Sequence, residues 1–207
     1  MSAFVLAGVL AGLVSILDPI PYIRDVRRGL TRPHRGTWLI WSFLGVTAFW
    51  ANLADGAAWS LAMIGVQALT MSAVFALSLR YGVGGVSRFE LALIALAGLG
   101  VVGWALSSQA VIATVFVVVA DLIGVAMMLP KTWRDPGSET LSTFVLASLA
   151  GVLSAFAVGA LHPGLLLYPI YFACANGVVA GLIVVRRRER RRPAGWRAVG
   201  LLDEESG

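Results

Sequence analysis

The chain reads as long apolar runs separated by short polar clusters. Seven runs stand out, at about 3–23, 36–54, 57–79, 89–107, 109–130, 140–160 and 164–185. Each is close to the ~20 apolar residues that a helix needs to cross a bilayer core. Apolar and polar residues do not alternate within them, so the pattern predicts helices and not barrel strands. Residues 91–120 carry no charge, a stretch too long for one crossing. The polar "SSQ" at 107–109, following Gly98, Gly100 and Gly103, predicts a break into two helices. The first run lacks a basic start and an obvious processing site, so it predicts a retained span and not a cleaved signal.

Composition agrees with this pattern. Of the 207 residues, 58% are hydrophobic and 13% charged, against about 25% charged in an ordinary soluble domain. A water-facing surface cannot be dressed with so few charges. The single Cys174 excludes an internal disulfide and a multi-cysteine metal site. His34 and His162 are far apart and have no ligand-type neighbour at helical spacing, so both are expected to be solvated loop residues. No metal or cofactor is expected.

The net charge of +5 would raise nucleic acid as a partner in a soluble protein. Here the positions of the cations decide otherwise. Arg24, Arg27, Arg28, Arg32 and Arg35 fall between runs one and two, Arg80 and Arg88 between three and four, and Lys131 and Arg134 between five and six. The remaining seven arginines lie in the tail, and the alternate loops carry none. The positive-inside rule then predicts a multi-pass protein of a bacterial plasma (inner) membrane, its N-terminus outside and C-terminus cytoplasmic. The tail at 186–207, basic and then acidic, is expected to rest on anionic inner-leaflet lipids and not on nucleic acid.

An ungapped slide of 103 positions lays Asp18 on Asp121, Ile20 on Ile123, Pro33 on Pro136 and Thr37 on Thr140. Ala54, Gly56 and Ala57 fall on Ala157, Gly159 and Ala160, and Arg28 meets Lys131. The expected fold is an all-α membrane protein of seven transmembrane helices. Two parallel three-helix repeats, residues 1–80 and 109–185, are joined by an inverting fourth helix within 81–108. Sites in such parallel repeats lie near mid-membrane between the two copies.

The stretches "DPIPYIRDVRRG", "TRPHRGTWLIW" and "DLIGVAMMLPKTWRDPGSET" give this plan a resemblance to the PQ-loop and SWEET-like superfamily, most of all to a bacterial branch with a Pro-x-x-x-Thr-Trp turn. The resemblance spans nearly all of residues 3–185. It implies seven helices, an alternating-access transporter, and a substrate contact at Asn176 in the last helix. The name-giving Pro-Gln pair is replaced by Pro21-Tyr22 and Pro130-Lys131, and helices two and six lack an interior proline. No sugar specificity is therefore carried over.

Ionisable groups at bilayer depth are costly and default to function. Asp121, near the middle of helix five, and Asp18, followed by "PIP", are the candidate coupling carboxylates; each has an alternative as a structural hydrogen-bond acceptor. Pro19, Pro21, Pro130 and Pro169 are candidate hinges, since a proline removes a backbone donor and bends its helix. Asn176, Gln67, Tyr168 and Phe172 are candidate substrate contacts, combining aromatic surface with directional amides. For Tyr168, Phe172 and Asn176 the alternative is an interfacial belt and an interhelical amide bond. Trp38 and Trp41 are expected as anchors at the inner interface. Asp18 and Asp121 are the only carboxylates that could pair for catalysis, and no Ser–His arrangement is evident, so no enzyme is expected. The alternative to a carrier of unknown solute is a receptor, scaffold or partner subunit with a basic cytoplasmic docking face. An oligomer is compatible with either.

Overall fold

A computed structural model describes residues 2–54, 59–85, 87–107 and 109–191. The tail beyond Arg191, and Gly56 and Ala57 of the repeat comparison, lie outside the described residues. The described chain is helical: α1 Ala3–Leu17, α2 Pro19–Arg27, α3 Arg35–Ala54, α4 Trp59–Tyr81, α5 Arg88–Leu106, α6 Ala110–Arg134, α7 Leu141–Ala157 and α8 Pro163–Arg191. One 3₁₀ turn, Pro136–Ser138, precedes α7. Among the described residues five rods are long and apolar enough to cross a membrane: Ala3–Arg27, Ile64–Tyr81, Arg88–Leu106, Thr114–Arg134 and Pro163–Arg191. The apolar α7 has 17 residues. α3 carries serine, threonines and tryptophans between its aliphatic residues.

Local chemistry accounts for the ends and bends. Ser2 caps α1 by accepting the Val5 N–H at 3.3 Å. Ser87 and Glu90 cap α5 reciprocally. The break expected at "SSQ" falls between Leu106 and Ala110. α1 and α2 form one 25-residue rod, because Asp18 keeps helical dihedrals and its N–H reaches the Val14 carbonyl at 2.9 Å. Pro19 and Pro21 supply no N–H, so the carbonyls of Ser15 and Leu17 lose their usual partners there. α6 runs through Pro130 to Arg134, and α8 through Pro169 to Arg191. The expected ends near 130 and 185 therefore move outward, and the first residues of the basic tail are helical. One missing donor does not stop a helix, and cations in the last turn suit its dipole.

α3 packs on α4, α7 on α8, α1 on α7, and α6 on α3, α5 and α8. Small residues set the closest approaches. A Cβ added at Gly151 would stand 2.6 Å from the Ala173 nitrogen, so α7 and α8 touch backbone to backbone. One core cluster joins Tyr22, Val26, Trp38, Val74, Met128, Phe144 and Ile183; a second joins Ile40, Leu44, Ala97, Val101, Ala120 and Met127. The outward face is apolar: Leu69, Leu99 and Leu106 are 72%, 68% and 81% exposed. Such a surface matches lipid better than water.

The loop Gly82–Gly85 folds over the start of α3. Val83 donates to the Pro33 carbonyl and accepts from Arg35, both at 2.9 Å. Gly84 has φ +67°, and an added Cβ there would overlap the His34 ring, so this position requires glycine.

Candidate functional site

A cavity of about 450 Å³ opens among α3, α4, α5, α6 and α8, lined by Trp41, Leu44, Gln67, Met71, Trp104, Val117, Asp121 and Tyr168. Below it lies a small pocket of about 60 Å³ that shares Trp41, Gln67, Met71 and Asp121 and adds Asp18, Pro19, Trp38, Thr70, Phe172 and Asn176. A further cavity of about 490 Å³, between α1, α4 and α7, also reaches Gln67. Ile64, Gln67, Thr114 and Val117 of the first of these cavities, and Gly8, Ala11, Ser154 and Ala157 of the further one, lie in the helix halves away from the arginine-bearing ends, whereas Trp41 and Leu44 lie in the arginine-bearing half of α3.

The small pocket thus brings together Asp18, Asp121, Gln67, Phe172, Asn176 and Pro19. Tyr168 lines the wider cavity and stacks on Phe172, ring centroids 5.8 Å apart. Pro21, Pro130 and Pro169 line none of these three cavities; Pro130 is exposed. Asp121 accepts a 2.7 Å hydrogen bond from the Tyr171 hydroxyl. The Asn176 amide donates to the Phe172 carbonyl at 2.9 Å, within its own helix. Its Oδ1 and the Asp18 carboxylate have no hydrogen-bond partner among the described residues.

Tyr171 escaped the sequence reading, because nothing in a pattern pairs it with a carboxylate fifty positions away. Trp38 and Trp41 of α3 are a correction. Trp38 is 5% exposed and donates to the Tyr22 hydroxyl at 3.1 Å, while Trp41 lines the cavity. α3 packs on α4, α5 and α6, so Trp38 and Trp41 meet protein and not an interface, whereas Trp50 of the same helix is 61% exposed. The serine and threonines among its tryptophans were the available signal. The Trp41 indole N–H is buried without a partner and lies against Gly124, whose added Cβ would stand 2.9 Å from it.

Toward the arginine end the pocket is sealed in two layers. The aromatic layer is Tyr22 against Trp38 and Phe144, at centroid distances of 4.8 and 6.3 Å. The polar layer centres on Glu139, 1% exposed. Glu139 accepts from the Tyr22 hydroxyl at 3.0 Å and pairs with the Lys131 ammonium at 2.5 Å. Burial pushes its carboxyl above the ordinary range, against the opposing pull of Lys131 and Tyr22. Arg187 holds the Glu139 carbonyl at 2.6 Å. Thr140 donates to Asp25 at 3.1 Å, so Thr31 is the donor in its 2.6 Å bond to Thr140. Arg32 pairs with Asp135 at 2.7 Å. These bonds tie the segment Tyr22–Arg32 to the segment Lys131–Thr140.

His34 is the other correction: it is 4% exposed and not solvated, because the glycine loop covers it. His162 is exposed. The His34 Nδ1 accepts the Thr37 N–H at 3.3 Å, capping α3, and Nε2 faces Glu90 at 2.9 Å. This assigns the neutral tautomer with its proton on Nε2. Burial holds the imidazole below its usual value, with Lys131 and Arg35 adding to it and Glu90 opposing. A base whose folded value is depressed contributes stability above its unfolded value, about 6.5, and loses it as pH falls through the folded value. Thermal stability is therefore expected to drop below about pH 6.5, and His34→Gln, measured across the same range, should remove that step. An unchanged acid limb in the variant would contradict the assignment.

No group of three His, Cys, Asp or Glu able to hold a metal occurs among the described residues. The site belongs to a helical bundle with membrane-length rods and an internal cavity. No family model, curated protein or solved structure matches the chain.

Proposed function

We propose that the protein is a seven-span carrier of a small solute, working by alternating access, with the pocket between Asp18, Asp121, Gln67 and Asn176 as its substrate site. The observation that carries this reading is a pocket walled by Trp38 and Phe144, behind which Tyr22, Glu139 and Lys131 form one bonded cluster on the arginine side. Such a cluster suits a closed gate of an alternating-access path. Tyr22 belongs to one proposed triplet and Glu139 to the other, so opening the seal separates the triplets.

A reciprocal pair of hydrogen bonds supports the two-triplet plan. Thr37 donates to the Gly124 carbonyl at 2.6 Å, and Thr143 to the Asp18 carbonyl at 2.8 Å. Both pairs of positions differ by the same amount, 143 − 37 and 124 − 18 being 106. The starts of α3 and α7, Arg35 and Leu141, have the same spacing. The same helix pairs also touch within each triplet: α3 with α4 and α7 with α8, α1–α2 with α4 and α6 with α8. These spacings support a register of 106 for the proposed helix repeat, beside the slide of 103 that pairs Asp18 with Asp121 and Pro33 with Pro136. In the new register Ser15 corresponds to Asp121 and Thr70 to Asn176, and all four line the small pocket.

Membership of the PQ-loop and SWEET-like superfamily fits this plan. So does an inner-membrane location with the arginine end in the cytoplasm on anionic lipid. Protein reconstituted in liposomes is expected to exchange at least one class of small solute. Failure to exchange sugars, amino acids, organic cations or organic anions, together with co-purification of a stoichiometric partner, would replace the carrier by a partner subunit.

A further inference from the structure

We propose that the solute is a small amphipathic organic cation, with a compact ammonium-type head seated between Asp18 and Asp121 and an apolar body in the wider cavity. This rests on the cavity being the substrate site of the proposed carrier.

The sign of the charge comes first. Two carboxylates reach the small pocket, and no lysine, arginine or histidine lines it or either of the two cavities that share Gln67 with it. Lys131, the chain's one lysine, is engaged with Glu139 in the seal. Asp121 receives one neutral hydrogen bond, and Asp18 receives none among the described residues. A buried carboxylate without a cationic partner is costly, and a bound cation offsets that cost. The pocket also presents Trp38, Trp41 and Phe172, whose ring faces attract cations. The unpartnered Asn176 Oδ1 adds an acceptor. An anion would meet repulsion from both carboxylates.

Size and polarity then set the shape. A pocket of about 60 Å³ accepts a head of a few atoms. The cavity above it, about 450 Å³ and walled by Leu44, Met71, Trp104 and Val117, has room for an apolar body. A polyhydroxylated solute would leave most of its hydroxyls unpaired against those walls.

Three probes of one shape and different charge test this: benzylammonium, benzyl alcohol and benzoate. Equilibrium binding to the full-length purified protein is expected to favour benzylammonium over both others by at least about tenfold. Asp18→Asn and Asp121→Asn should each weaken benzylammonium by a similar factor. Equal binding of benzyl alcohol or benzoate, or no saturable binding of benzylammonium, overturns the inference. So does unchanged affinity in both variants. The charge series on the unaltered protein decides the matter where a variant fails to fold. Selective binding of benzylammonium without its entry into proteoliposomes would leave the cation site standing and remove the carrier. Exchange of a neutral or anionic solute by protein that does not bind benzylammonium would do the reverse.

Discussion

Replacing Glu139 by alanine is expected to lower stability by about 3–5 kcal/mol, the scale for breaking a buried ion pair from one side. The residue is 1% exposed and answers both the Lys131 ammonium and the Tyr22 hydroxyl. Its removal takes the counter-charge from a largely buried cation, which keeps the Arg32 and Ser138 carbonyls, and leaves the buried Tyr22 hydroxyl without an acceptor. Thermal unfolding in detergent measures the loss. Glu139→Gln keeps the volume and an acceptor for Tyr22, so it should cost less. Adding Lys131→Met to Glu139→Ala should recover part of the loss, because the stranded charge is then gone. A Glu139→Ala protein as stable as the parent would mean that the seal is loose and water-filled.

The second large effect is on transport. Asp121→Asn and Asn176→Ala are each expected to cut solute exchange in proteoliposomes by about tenfold or more, with folded yield unchanged. Asp121 holds its position through Tyr171, and Asn176 through its own helix carbonyl. Folded yield, measured beside exchange, separates an effect on the solute from one on folding, since Asp121 is itself buried. Tyr171→Phe removes one hydrogen bond to a charged group, worth about 1.5–3 kcal/mol, and should fall between parent and Asp121→Asn. Exchange unchanged in both Asp121→Asn and Asn176→Ala would remove the substrate site proposed here.

Much of the architecture was legible because lipid-length apolar runs and polar breaks are local signals. The rods around 3–27, 88–106, 110–134 and 163–191 are of this kind. Gln67, Asp121 and Asn176, polar residues at depth in runs that otherwise avoid polarity, were expected near one another and line one pocket, whereas the arrival of Asp18 there was not legible. What the chain conceals is which face of a helix meets protein. Trp38 and Trp41 look like interface anchors until their part of α3 is found packed on neighbouring helices. His34 looks solvated until a glycine loop far along the chain folds over it. Glu139 sits in a turn that reads as exposed, and its partner Tyr22 is 117 positions away.

The side from which water reaches Gln67 tests the account most directly. Gln67 lines both large cavities and the small pocket, and Cys174 is the only native thiol. Gln67→Cys in a Cys174→Ala background provides a single reporter for membrane-impermeant thiol reagents. The account predicts labelling from the face opposite the arginines in the parent. When Glu139→Gln weakens the seal, it predicts added labelling from the arginine face. Labelling from the arginine face in the parent, or from neither face in both proteins, would contradict it.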